Sequence, residues 1–195
     1  MSLLARLTEK SWEESGEPGP ITRPSAGAVG MTAYFAVAGV MFTLLGAAYL
    51  MRMGVHGALG HGGSDWRPMP DPPLLWINGA VLLASSIAWE GARRDRKGHA
   101  RQASVAGAAL GALFLVGQWL LWRRYLAHGY SLSANPANAF FYLLTALHGC
   151  HIIGGLVAAG RALAAHDLPN IRLCAIYWHF LLLIWIFLAA LLVMT

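Results

Sequence analysis

The stretch 139–160, AFFYLLTALHGCHIIGGLVAAG, decides the fold, because it is long and apolar enough to cross a lipid bilayer. A bilayer core of about 30 Å takes about 20 helical residues, and a helix satisfies its own backbone hydrogen bonds there. Yet this run carries His148 and His151, with Cys150 between them. Ionisable side chains at membrane depth cost at least about 2.5 kcal/mol when charged, so each points to a partner.

Four more runs of this kind surround it, at 31–51, 72–89, 103–122 and 169–194. The composition agrees: 57% of the 195 residues are hydrophobic and 12% are charged, against roughly 25% charged in a soluble domain. The fold expected is therefore all-α, a polytopic transmembrane bundle of five helices forming one domain over 31–195. Residues 1–30 are polar, with a loose acidic patch (EESGEPGP) followed by Pro and Gly, and read as a flexible cytoplasmic lead-in without a signal peptide.

The net charge of +5 is placed to orient such a bundle. The loop GARRDRKGHAR holds Arg93, Arg94, Arg96, Lys97 and Arg101. With the N-terminal segment, Arg161 and Arg172 it puts ten basic residues on one side, against Arg52, Arg67, Arg123 and Arg124 on the other. The excess of Lys and Arg marks the cytoplasmic side, giving a cytoplasmic N-terminus and a periplasmic C-terminus. Topology and lipid headgroups account for this charge, and no nucleic-acid partner is expected. Cys150 and Cys174 fall within or at the end of spans, which gives a structural disulfide little support.

Proline after a capping residue marks helix starts at Asp71–Pro72 and Asn135–Pro136, and Pro169 opens the last span in the same way. The Gly- and Pro-rich external loop contains His56, His61 and Asp65, which reads as solvated loop rather than a metal site. Small residues recur one turn apart, as at Gly107 and Gly111, and in Gly149, Gly154, Gly155 and Gly160. Such faces let transmembrane helices approach closely where lipid supplies no hydrophobic drive.

The polar residues inside the spans are few. Glu90 lies four residues before Arg94, the favourable helical order for an ion pair. Asn78, Ser85 and Ser86 on the second span and Gln118 on the third are suited to interhelical hydrogen bonding, at about 0.6–2 kcal/mol each. His148 and His151 are three residues apart and share a face, and His179 stands in the last span. Three readings fit these imidazoles: a transition-metal site, axial haem ligation from two helices, or plain hydrogen bonding between helices. Arg93, Arg94 and Arg172, with Trp178 near the interface, are the candidates for holding lipid headgroups.

At these residues a resemblance enters. FFYLLTALHGCHIIGGL, YWHFLLLIWIFL and PLLWINGAVLLASSIAW resemble three ordered motifs of subunit III of haem–copper terminal oxidases, and Gln118 falls where that family carries a glutamine in the next helix. The likeness covers about 31–195 and is similar to the shorter bacterial members, a seven-helix form without its first two helices. It implies an accessory subunit with no haem or copper of its own, those groups lying in partner subunits I and II. Such a subunit packs beside the catalytic subunit in the bacterial inner membrane, retains phospholipid, and supports proton uptake and durability. His148, His151 and His179 would then tie the bundle together. Two departures stand out: Gly39 occupies the position of a buried family glutamate, and Leu182 that of an aspartate. Two other functions remain open, an accessory subunit of a nitric oxide reductase and a small membrane cytochrome b ligating haem through His151 and His179.

Overall fold

A computed structural model of the chain describes residues 25–58, 73–95, 98–165 and 168–193. Among these residues all regular structure is helical: α1 (Ala26–Ala58), α2 (Pro73–Arg94), α3 (Ala100–Ala127), α4 (Pro136–Ala164) and α5 (Leu168–Val193). All five are long and apolar enough to cross a membrane. The 33 residues of α1 reach about 50 Å at 1.5 Å per residue, well beyond the hydrocarbon core.

Side-chain caps mark the starts of α1 and α4. Ser25 Oγ accepts from Ala28 N at 3.2 Å, so α1 begins five residues before the apolar run, and Ala26 to Gly30 are helical rather than part of the lead-in. The rest of that N-terminal segment, Asp71, Pro72, His61, Asp65 and the side chain of His56 lie outside the described residues. Asn135 is in extended backbone, its Oδ1 accepts from Ala137 N at 3.0 Å, and Pro136 follows as the first helical residue. The turn before it is tied down by α4: Asn138 Nδ2 donates to Ser131 O and Tyr142 Oη to Tyr130 O, each at 3.0 Å. Gly129, at φ 86, takes the left-handed conformation that ends α3.

The closest packing is between α2 and α3, while α5 lies against α1, α2 and α4. Small residues permit this approach. A Cβ on Gly107 would come within 2.6 Å of the Trp89 ring, and one on Gly111 within 2.9 Å of Trp178. Trp89, Trp178, Phe42 and Phe114 are the largest fully buried side chains, and the two indoles lie 4.9 Å apart. The outer face is as apolar as the core: Val37, Leu44, Ile87 and Leu183 are all exposed. A surface of this kind suits a lipid solvent and a bundle held by packing and hydrogen bonds.

Candidate functional site

Ser85, Ser86 and Glu90 of α2 converge on α5 because the two helices run antiparallel in a fixed register. Ser85 meets Trp178 and Ser86 meets His179. Trp178 Nε1 donates to Ser85 Oγ at 2.6 Å, and Ser85 donates onward to the Gly107 carbonyl at 2.7 Å, so one hydroxyl joins α5, α2 and α3. Trp178 is completely buried. That corrects its expected place among lipid headgroups: its N–H is satisfied inside the bundle and its ring fills the space left by Gly111 and Gly155.

The next polar layer is a clasp. His179 Nδ1 lies 2.5 Å from Ser86 Oγ and Nε2 lies 3.0 Å from Glu90 Oε2. A carboxylate can only accept, so Nε2–H donates to Glu90, and in a neutral imidazole Nδ1 then accepts from the Ser86 hydroxyl. Arg94 Nε also donates to Glu90. Arg93 adds two bonds, from Nε at 2.7 Å and Nη2 at 2.6 Å, which the sequence reading did not include. The signal was available, since three-residue spacing serves on a helix as well as four. The order Ser–His–Glu is chemically that of an activated nucleophile. However, Ser86 is only 2% exposed, and it sits mid-helix where backbone N–H groups are already bonded, so no oxyanion donors converge on it. The arrangement fastens α2 to α5.

The clasp opens sideways into a groove of about 430 Å³ lined by Leu83, Ile87, Glu90, His179 and Leu182. Leu182 therefore faces the same space as Glu90. Beyond Arg94 a more polar hollow of about 630 Å³ is lined by Arg93, Arg94, Asp95, Arg172 and Ile176. On the far side of the bundle, α1, α4 and α5 enclose a cleft of about 670 Å³, with Gly30, Tyr34, Gly154 and Tyr177 along it and Arg161 among its lining residues. Tyr177 Oη donates to the His151 carbonyl at 2.8 Å and lies 3.1 Å from Tyr34 Oη, a link among three helices. A Cβ on Gly39 would meet open space, so that position leaves α1 with a smooth outer face.

The three histidines are dispersed. His151 Nδ1–H donates to Leu147 O at 2.7 Å, within its own helix, and its ring packs against Phe42 and Tyr34. His148 is fully buried between the rings of Phe42, Phe114 and Trp185. His179 belongs to the α2 clasp. Among the described residues no group of three or more His, Cys, Asp or Glu is placed to hold a metal ion. Asn78 Nδ2, both amide atoms of Gln118 and both ring nitrogens of His148 have no hydrogen-bond partner among the described residues. The interhelical bonds expected of Gln118 and His148 are therefore not made directly, because apolar rings surround the imidazole. Thr145, unremarked in the sequence, does bridge helices: it accepts from Trp122 Nε1 at 3.1 Å.

Comparison with known proteins agrees with this architecture. The family described as cytochrome c oxidase subunit III matches residues 63–194. The cytochrome c oxidase subunit 3 of Thermostichus vulcanus is 29% identical over 185 residues, covering 87% of each chain. A probable cytochrome c oxidase subunit 3 of Mycobacterium tuberculosis is 27% identical over 181 residues, 85% of this chain and 86% of that one. The cytochrome bo(3) ubiquinol oxidase subunit 3 of Pseudomonas aeruginosa is 27% identical over 137 residues, 64% of this chain and 66% of that protein.

Proposed function

Because the chain belongs to the cytochrome c oxidase subunit III family, we propose that it serves a respiratory haem–copper oxidase as a non-catalytic subunit that retains lipid and prolongs working life. It packs against catalytic subunit I, with subunit II alongside, in the bacterial cytoplasmic membrane. Oxygen reduction to water, and the haem and copper that perform it, belong to those partners.

The observation that carries this reading is the seam between α2 and α5. Its polar groups close on one another, and at its end Arg93, Arg94 and Arg172, with Asp95 and Ile176, line a hollow of about 630 Å³. Guanidinium groups match phosphate geometry in pairs, and the adjoining groove along Leu83, Ile87 and Leu182 suits an acyl chain. The α1–α4–α5 cleft beside Arg161 offers a second such place. Support of proton uptake is then indirect. Glu90 accepts from Arg93, Arg94 and His179 and serves the clasp, so this chain helps by holding the catalytic subunit's surface in place.

The test uses the intact complex, purified in mild detergent, with Arg93, Arg94 and Arg172 all changed to Gln. Haem content stays as in the wild type, bound phospholipid falls, and activity decays sooner during turnover. Unchanged phospholipid and an unchanged lifetime would overturn the lipid-retaining role. Identifying the large subunit that co-purifies separates an oxidase from a nitric oxide reductase.

A further inference from the structure

Three polar residues on three helices lie in one cross-section of the bundle, and the helix registers show it. Between α3 and α4, Trp122 bonds Thr145 and Leu115 borders Gly149. Because the helices are antiparallel, Gln118 comes level with His148. Between α2 and α3, Asn78 Oδ1 occupies the space a Cβ on Gly117 would need, which sets Asn78 beside Gln118's neighbour. Trp185 closes the layer from α5: its ring is 5.4 Å from His148 and 4.8 Å from Phe114.

Asn78 and Gln118 are each 3% exposed and His148 is 0% exposed. Five of their polar atoms have no partner among the described residues: Asn78 Nδ2, Gln118 Nε2 and Oε1, and His148 Nδ1 and Nε2. Every other ring around His148 is apolar or donates only through an indole N–H. Nothing in this layer resembles the direct bonds that close the Ser85 and Ser86 layers a few turns away.

We propose that Asn78, Gln118 and His148 form an internal site for ordered water that joins α2, α3 and α4. The chemistry of the set selects the ligand. The two amide NH₂ groups offer donors, Gln118 Oε1 accepts, and a neutral imidazole brings one donor and one acceptor. An anion would satisfy the donors alone and a cation the acceptors alone. Water does both, and bridges two to four polar groups in sites of this kind. The Asn78 amide sits where a Cβ on Gly117 would be, and a Cβ on Gly79 would lie 3.2 Å from the Trp185 indole, so these glycines let α2, α3 and α5 approach closely at this level. The inference concerns the fold of this chain and does not depend on which oxidase it serves.

High-resolution cryo-electron microscopy of the intact complex tests it. Expected is compact non-protein density about 2.7–3.2 Å from a His148 nitrogen and from the Gln118 amide. A direct Gln118–His148 hydrogen bond, or a layer with no such density, overturns the proposal. A second measurement compares thermal midpoints of Gln118→Leu, Asn78→Leu and the double variant. Residues sharing one water site give a double variant that loses clearly less than the two singles combined. Additive losses mean independent residues and also overturn it. If Gln118→Leu does not assemble, Gln118→Met keeps length and flexibility and serves instead.

Discussion

Trp178 and Ser85 meet at 2.6 Å, indole N–H to hydroxyl, in the fully buried centre of the bundle. The same hydroxyl donates to the Gly107 carbonyl, which keeps its own helical bond within α3, so removing the hydroxyl orphans the buried Trp178 N–H. An interhelical hydrogen bond in a membrane averages about 0.6 kcal/mol, but an orphaned buried polar group costs about 1–3 kcal/mol. The second effect governs here. Ser85→Ala is expected to destabilise the chain by about 1–3 kcal/mol, read as a lowered thermal midpoint in detergent. A midpoint equal to wild type would show that this link does not hold the helices.

Gly107 and Gly91 make a matched pair for a second test. A Cβ at Gly107 runs into the buried Trp89 ring, whereas one at Gly91 meets nothing within 4 Å. Overpacking a tight interface costs about 1–3 kcal/mol, while alanine in place of an unencumbered helical glycine gains up to about 1 kcal/mol. Gly107→Ala therefore lowers the unfolding midpoint and Gly91→Ala leaves it level or raises it. Equal effects at both positions would remove the steric account of α2–α3 packing.

Much of this architecture was legible from local chemistry. Five apolar runs gave five helices, and the Asn135–Pro136 cap is where the spacing put it. What local chemistry cannot supply is which helix a polar side chain reaches: Ser86 and His179 are 93 residues apart in the chain. Trp178 shows the difficulty. Tryptophan favours membrane interfaces, which suggested a lipid contact, yet ten residues after the start of α5 it is about 15 Å along the helix and faces inward. Gln118 and His148 were legible as polar core residues, but their sharing of a level depends on the α3–α4 register, which only the packed helices establish.

Glu90 and the arginines around it respond to salt rather than to packing. Arg94 is 74% exposed at its side chain and Arg93 39%, so their attraction to the carboxylate is screened by water and ions. Glu90→Gln keeps the shape and removes the charge. It is expected to lower the midpoint less than Ser85→Ala does, with the difference from wild type shrinking as ionic strength rises. A large loss that persists in high salt would mean that the clasp is shielded from solvent and that its charges matter more than their exposure implies.

His151 and His179 provide the last test, because a two-histidine haem site requires its ligands to face each other across the macrocycle. Tyr177 points to His151, donating to its carbonyl at 2.8 Å. His179 comes two residues later, about 200° around the helix, and points the other way, to Ser86 and Glu90. Both of its ring nitrogens are engaged there, and coordination of iron would first break the clasp. The chain separated from its partners is therefore expected to show no Soret band. His179→Ala should lower its thermal midpoint while the haem spectrum of the whole complex stays the same. A Soret band on the isolated chain with stoichiometric iron, abolished by His179→Ala, would reverse the assignment and make this subunit a haem carrier.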